Sequence, residues 1–222
     1  METADIADAN LIHFGRTCFP KLNQFPGKQT SESKTIHVGR DHIVNQFLFL
    51  IGFRATGKTT VGKRLALKTN SVWRDSDAFI ESTSGRTIPQ IFTELGEPGF
   101  REIESRAIAD LISELAETPH AVISLGGGAL LSTTNRSLIK LTGKSIWLDA
   151  SANCLAERII QSQTENPRPA LTRLSPHEEV TKLLAERRDV YSDCADYTIN
   201  TEQLSIEETV DLIAQWWQSV DK

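Results

Sequence analysis

Apolar residues along the chain form short continuous runs that alternate with amphipathic stretches. The run Phe47–Ile51 is apolar at every position and stops at Gly52, which is typical of a parallel strand buried on both faces. Four further short strands are predicted at residues 72–75, 120–125, 144–149 and 197–200. Because helical patterns separate these strands, we expect one α/β domain with a five-stranded parallel sheet and helices on both faces.

The stretches between the strands have the spacing of helices. Apolar residues recur every three or four positions in these stretches, and Gly or Pro stands near several of their ends. Helices are predicted at residues 58–68, near 77–82, in a short piece after Thr87, at 100–117, around Leu138, and at 152–161, 176–191 and 206–220. The helices between residues 77 and 117 are expected to occupy the space above the sheet.

The N-terminal part of the chain lacks this alternation. Residues 1–45 are mostly polar, with prolines, glycines and only short apolar fragments. We interpret them as a poorly ordered extension, with a docking or regulatory segment as the alternative. The remainder, residues 46–222, is of a size that suits one domain with a two-sided core.

Charge and composition exclude several classes of protein. The 24 basic and 29 acidic side chains give a formal net charge of −5, which argues against a nucleic-acid binder. No apolar run approaches the roughly 18 residues of a membrane span, and the N-terminus lacks a signal-peptide pattern. The three cysteines are too few and too far apart for a disulfide framework or a zinc site. We therefore expect a cytoplasmic protein that binds neither nucleic acid nor membrane.

A phosphate-binding motif follows the first predicted strand. The segment has the pattern Gly-x4-Gly-Lys-Thr and lies between an apolar strand and a helix start, where a P-loop is required. Its backbone N–H groups would surround phosphates, its lysine would reach the β and γ oxygens, and its first threonine could bind Mg²⁺. The predicted ATP-binding residues are Gly52, Phe53, Arg54, Ala55, Thr56, Gly57, Lys58, Thr59 and Thr60.

Two carboxylates follow the second predicted strand, in the sequence Asp75-Ser76-Asp77. This position is at the carboxyl edge of the sheet, where open α/β sheets bind ligands. Extended backbone would point both carboxylates the same way, so that one could orient Mg²⁺ and the other could hold an acceptor hydroxyl. Alone, the pair could equally be a helix cap or a solvated turn.

Other polar positions are weak signals when taken singly. Gly126–Gly128 follows a strand and suits either a close backbone approach or an ordinary turn. Arg101 and Glu104 could form a surface ion pair on a helix. Arg187 and Arg188 could lie on a solvated helix face, pointing about 100° apart. Arg158 and Arg168 could be surface charges.

Together, these motifs in this order resemble the shikimate kinase family over about residues 46–220. Other P-loop kinases share only the first motif. The six motifs are Gly52-x4-Gly57-Lys58-Thr59, Asp75-Ser-Asp77, Phe100-Arg101-x2-Glu104, Leu125-Gly-Gly-Gly128, Arg168-Pro169 and Arg187-x3-Tyr191. The resemblance implies a P-loop kinase fold with a substrate-binding helical region and a lid at about residues 161–176.

The resemblance also implies residue roles. Asp77 would bind substrate hydroxyls and act as the base, and Lys58 and Arg101 would complete the catalytic set. Arg101 and Arg187 would hold the substrate carboxylate, as two guanidinium groups can. Glu104 would orient the neighbouring arginine, and Gly126, Gly127 and Gly128 would line the substrate site. Thr59 and Asp75 would hold one Mg²⁺ per active site.

Two positions belong to the nucleotide side of the resemblance. Arg168, in the lid, would approach the phosphates, and Arg158 would pack against adenine. The chain departs from the family in having Ala55 and Thr56 where the family commonly has Gly and Ala. It also has a longer segment at residues 161–167. These departures concern ATP affinity, lid geometry and the alignment of Arg158.

The function implied is transfer of phosphate from MgATP to shikimate, giving ADP and shikimate 3-phosphate on the route to chorismate and the aromatic amino acids. We expect a monomer whose partners are the small molecules ATP and shikimate. The alternatives are a P-loop kinase for another small acceptor, such as gluconate or a nucleotide, and a catalytically silent nucleotide-binding module.

Overall fold

A computed structural model of the chain describes residues 11–14, 17–20, 47–165 and 175–220. Strands β1 (Leu11–Phe14) and β2 (Thr17–Pro20) pair antiparallel, with Leu11 opposite Pro20. They belong to a unit of their own, residues 1–43, distinct from the unit formed by residues 44–222. Eight residues of the N-terminal extension are thus paired in strands, and the expectation of poor order for the rest stays a prediction.

The larger unit is built on the five-stranded parallel sheet that the sequence predicts. Its strands are β3 (Phe47–Ile51), β4 (Val72–Asp75), β5 (Ala121–Ser124), β6 (Gly143–Asp149) and β7 (Tyr197–Asn200). Their order is β4-β5-β3-β6-β7, and every neighbouring pair is parallel. The central strand β3 is buried at all five positions, as its continuous apolar run requires.

Seven helices connect and cover these strands within the described residues. They are α1 (Lys58–Thr69), α2 (Ser76–Ser84), α3 (Ile88–Glu114), α4 (Thr133–Thr142), α5 (Ala152–Glu165), α6 (Pro176–Cys194) and α7 (Ile206–Val220). A 3₁₀ turn, Ala129–Leu131, follows the glycine triplet. Helix α5 continues past its predicted end at residue 161 to Glu165 and so enters the predicted lid at 161–176. Helix α6 begins at Pro176 as predicted and continues past residue 191 to Cys194. Residues 166–174 lie outside the described residues.

The two helices predicted after Thr87 form one element with a kink. Gly96 has φ 67° and ψ −176° inside α3, and Pro98 follows it. A residue with positive φ interrupts the helical ladder, and glycine adopts such a conformation without steric cost. The second part of α3 carries Arg101 and Glu104, so the kink sets the direction of the segment that bears these two side chains.

Among the described residues, two apolar clusters help to hold this unit together. The larger lies between the sheet and helices α1 and α7, with Leu48, Leu65, Val122 and Ile213 among its members. The smaller joins α2 to α3 through Ile80, Ile91, Phe100 and Ala107. The second cluster fixes the helices that bear polar side chains above the carboxyl edge of the sheet. Across the residues with described positions, no helix is both long and apolar enough to span a membrane.

Candidate active site

The loop between β3 and α1 has the backbone conformation of a phosphate-binding loop. Gly52 has φ 133° and Gly57 has φ 93°, values that favour glycine. A Cβ atom added at Gly52 would lie 2.5 Å from the carbonyl oxygen of Leu148, so that approach needs glycine. Ala55, where the family commonly has glycine, also has a positive φ of 64°. The Thr56 hydroxyl donates to the Phe53 carbonyl at 2.9 Å, which closes the loop.

Lys58 and Thr59 begin α1 directly after this loop. The Lys58 ammonium donates to the carbonyl oxygens of Gly52 at 2.8 Å and Phe53 at 2.7 Å. The Thr59 hydroxyl donates to Asp75 Oδ2 at 2.9 Å. A hydroxyl beside a carboxylate offers the hard oxygen ligands that Mg²⁺ prefers, and Mg²⁺ in phosphate-transfer sites commonly uses one or two protein ligands plus phosphate. The described residues contain no cluster of three metal-binding side chains.

The expected extended backbone across Asp75-Ser76-Asp77 is wrong. Asp75 ends β4 and caps α2, because its Oδ1 accepts from the backbone N–H groups of Asp77 at 3.0 Å and Ala78 at 3.3 Å. Asp77 therefore lies in the first helical turn. Ser76 is fully buried, and its hydroxyl accepts from the Gly126 N–H at 2.9 Å. The two carboxylates consequently have different neighbours.

Asp77 faces the glycine triplet together with Glu104. A Cβ atom at Gly126 would lie 2.6 Å from Asp77 Oδ1 and 3.1 Å from Glu104 Oε1, so only glycine leaves these carboxylates in place. The Glu104 side chain is 1% exposed. Its burial raises the pKa of its carboxyl, while the nearby Arg101 charge opposes that rise and the Asp77 charge adds to it.

Arg101 is held on three sides, which corrects the view of Arg101 and Glu104 as a surface pair. Its guanidinium lies 2.6 Å from the buried carboxylate of Glu104 and 3.2 Å from the exposed carboxylate of Glu97. A Cβ atom at Gly128 would lie 2.4 Å from both of its terminal nitrogens. A cavity of about 460 Å³ adjoins Arg101, lined by Glu97, Pro98, Arg101, Leu131 and Ser132, and small-molecule sites have volumes of this order.

Helix α6 contacts the glycine triplet from the other side. Arg187 and Tyr191 both donate to the carbonyl oxygen of Gly127, Arg187 at 3.4 Å. The Arg187 guanidinium also lies 5.6 Å from the ring centroid of Phe53, a cation–π distance. Tyr191 is buried, and this burial raises the pKa of its phenol to about 12. Because Arg187 and Tyr191 are four residues apart on α6, their side chains lie on one face and reach the same carbonyl oxygen.

Arg188 lies on an exposed part of α6, but it also has partners on the sheet. Its guanidinium lies 2.6 Å from the Asp149 carboxylate and 5.2 Å from the ring centroid of Trp147. Both partners belong to β6, so Arg188 ties α6 to the sheet. Arg158 donates to the Thr201 hydroxyl at 3.1 Å and to the Thr201 carbonyl at 2.8 Å. Arg168 lies outside the described residues.

Three contributors were not predicted from the sequence. Glu179 forms an ion pair with Arg54 of the phosphate loop, a contact between residues 125 positions apart that no local pattern signals. Ser76 anchors Gly126, and Glu97 pairs with Arg101. Of these, only Glu97 had a local signal, because it stands four residues before Arg101, although the predicted helix began only at residue 100.

Comparisons with known proteins agree on one family. The family model described as "Shikimate kinase" matches residues 54–218. The chain is 41% identical over 157 residues to shikimate kinase 2 of Photorhabdus laumondii, covering 71% of this chain and 87% of that protein. It is 38% identical over 167 residues to a shikimate kinase of Corynebacterium diphtheriae, covering 75% of this chain and 91% of that protein.

Solved structures give the same result. The shikimate kinase from Acinetobacter baumannii in complex with shikimate matches with a TM-score of 0.71 and 33% identity, covering 78% of this chain and 93% of that one. The shikimate kinase from Bacteroides thetaiotaomicron matches with a TM-score of 0.69 and 32% identity, covering 78% of this chain and 98% of that one. The P-loop kinase fold expected from the motifs is confirmed.

Proposed function

The chain belongs to the shikimate kinase family, and we propose on that premise that it transfers the γ-phosphoryl group of ATP to shikimate. The products are ADP and shikimate 3-phosphate, on the route to chorismate and the aromatic amino acids. One observation carries the proposal: the phosphate loop and the group formed by Asp77, Arg101 and Glu104 lie at the same carboxyl edge of the sheet, joined through the glycine triplet.

The nucleotide side of the proposed site is the loop and first turn Gly52–Thr60. Its backbone N–H groups and the N-terminus of α1 favour phosphate oxygens. Lys58, which now donates to two loop carbonyls, would exchange them for the β and γ oxygens. Arg158, which is anchored on Thr201, would pack against adenine, and Arg168 would approach the phosphates.

The proposed Mg²⁺ ligands are Thr59 and Asp75, one ion per active site. Their adjacent oxygens, 2.9 Å apart, fit a small hard cation. When bound there, Mg²⁺ neutralises phosphate charge during transfer. Asp75 also caps α2, so the same carboxyl group links the proposed metal position to the helix that carries Asp77.

The acceptor side of the proposed site is built for a hydroxylated acid. Arg101 and Arg187, on α3 and α6, would bind the carboxylate of shikimate, and Glu104 holds Arg101 at 2.6 Å. Gly126–Gly128 would line the same pocket. Held in this way, the acid group would leave the reacting hydroxyl for Asp77 to bind.

Asp77 would take the proton of the attacking hydroxyl. That oxygen forms a bond to the γ-phosphorus as the bond from phosphorus to the β–γ bridging oxygen breaks, and ADP leaves with the bridging oxygen. Most of the rate gain comes from positioning and from neutralising charge with Lys58 and Arg101.

An acceptor panel tests this proposal. The purified chain is assayed for ADP release with MgATP and with shikimate, gluconate or a nucleoside monophosphate as acceptor. We expect ADP release only when shikimate is the acceptor, in proportion to the shikimate 3-phosphate formed. Preference for another acceptor would indicate a different small-molecule kinase, and ADP binding without turnover on any acceptor would indicate a silent nucleotide-binding module. The expected monomeric state and cytoplasmic location remain part of the proposal, tested by sedimentation and by cell fractionation.

A further inference from the structure

The first turn of α6 is tied to the phosphate loop by a buried ion pair. A terminal nitrogen of Arg54 donates to Glu179 Oε1. The side chain of Glu179 is 2% exposed and that of Arg54 is 21% exposed. Burying a carboxylate this deeply costs desolvation free energy unless an opposite charge or hydrogen bonds compensate it. The pair therefore fixes where the loop and the helix meet.

Local sequence determines that α6 begins here but not where it lies. The Ser175 hydroxyl accepts from the Glu178 N–H and the Glu178 carboxylate accepts from the Ser175 N–H, which is a capping box. Those contacts stay within one turn and direct no side chain toward the sheet. Glu179, the next residue, makes the contact to the phosphate loop. Arg54 thus supplies a polar contact between the phosphate loop and the start of the helix.

The same helix contacts the site again two turns later. Arg187 and Tyr191 donate to the Gly127 carbonyl, and eight residues of helix between Glu179 and Arg187 span about 12 Å. The ring of Phe53 lies 5.9 Å from the Arg54 guanidinium and 5.6 Å from that of Arg187. A rigid helix held at both ends relays a displacement of its first turn to Arg187.

We infer that Arg54 and Glu179 are positioning residues that set the place of Arg187 relative to the phosphate loop. The inference rests on the proposed function, in which Arg187 binds the carboxylate of shikimate. Arg54 was predicted as part of the ATP-binding loop, and its backbone keeps that role, while its side chain faces α6. Disrupting the pair should then weaken use of the acid substrate more than use of ATP.

The test is a double-mutant cycle with separate KM values. Glu179→Leu, Arg54→Met and the double variant are assayed with both substrates varied, alongside thermal unfolding. We expect KM for shikimate to rise about tenfold in Glu179→Leu, with KM for ATP within about twofold. In the double variant, KM for shikimate should rise by about as much as in either single variant. It should not reach the product of the two single effects, about 100-fold. Arg54→Lys, which keeps the charge of the pair, should reverse most of the rise in KM for shikimate that Arg54→Met causes.

Glu186→Leu is the matched control, because Glu186 is an exposed glutamate on the same helix, and it should leave both KM values unchanged. If Glu179→Leu fails to fold, Glu179→Gln replaces it, with the same selective rise in KM for shikimate expected. A lower melting temperature with both KM values unchanged, an equal rise in both, or additive effects in the cycle would overturn the inference. Absence of shikimate-dependent ADP release in the wild type would refute the proposed function itself, and the inference with it, before any variant is compared.

Discussion

Replacing Arg187 by alanine separates a substrate contact from an ordinary helix-surface arginine. Within the folded unit, its described contacts are weak: a 3.4 Å hydrogen bond to the Gly127 carbonyl and a 5.6 Å approach to the Phe53 ring. Such contacts contribute about 1 kcal/mol or less to folding. Among the described residues, no carboxylate pairs with Arg187 within 4.0 Å, so its charge is available for a ligand.

The kinetic effect should be much larger than the effect on stability. Loss of a charge-assisted contact to the substrate carboxylate costs about 2–4 kcal/mol in transition-state binding. This corresponds to a fall of about 30- to 1,000-fold in kcat/KM for shikimate. The affinity for ATP should change by less than about twofold, because the lost contact is to the acid substrate.

Steady-state assays with each substrate varied, together with thermal unfolding, measure these quantities. Arg188→Ala is unsuitable as the control, because Arg188 pairs with the largely buried Asp149 carboxylate and its loss should lower stability. Lys182→Ala is suitable, since Lys182 is exposed on the same helix. If kcat/KM for shikimate stays within about twofold of wild type in Arg187→Ala, or KM for ATP rises equally, Arg187 is not the carboxylate contact.

Three further predictions follow from the geometry. Lys58→Met should lower turnover by at least about 1,000-fold in single-turnover assays, because Arg54, the other charged residue of the loop, is paired with Glu179; near-normal turnover would contradict the phosphate-loop assignment. Gly126→Ala should lower kcat by at least about 100-fold while ADP still binds by calorimetry, because the new Cβ would meet Asp77 Oδ1 at 2.6 Å; unchanged kcat would mean that the Asp77 position is unimportant. Tyr191 supplies a pH test: its raised pKa of about 12, against an ordinary 10.0, gives stability that is fully present below pH 10 and is lost as pH rises through about 12. Denaturant unfolding should show that the free energy of unfolding falls by about 3 kcal/mol over that range in the wild type, and that this fall is missing in Tyr191→Phe. Equal losses in both proteins would contradict the assignment of this pH dependence to Tyr191.

The elements predicted correctly are those whose signals are local. Phe47–Ile51 is apolar at every position, and the central strand of the sheet forms there. The Gly-x4-Gly-Lys-Thr pattern likewise marks a strand, a loop and a helix start, because its glycines are needed for backbone conformations with positive φ.

The errors arose where distant residues or capping decide the outcome. Asp75 was expected to continue the strand direction into Asp77, but its carboxylate caps α2 and turns the chain into a helix. Arg188 is exposed, as a solvated helix face would have it, but Asp149, 39 residues earlier, also pairs with it, and no local pattern signals that contact. Glu179 is likewise buried in contact with Arg54, 125 residues away in the sequence. Periodicity along one helix carries no information about such tertiary partners.

Transfer of an isotopically labelled γ-phosphoryl group from ATP to shikimate tests the central claim most directly. The wild-type chain with MgATP should place the label in shikimate 3-phosphate, and no labelled product should form without shikimate. Asp77→Asn, which removes the proposed base with little change in volume, should bind ADP normally and transfer at least about 1,000-fold more slowly. Label appearing in inorganic phosphate at the same rate with and without shikimate, or wild-type transfer by Asp77→Asn, would contradict the account.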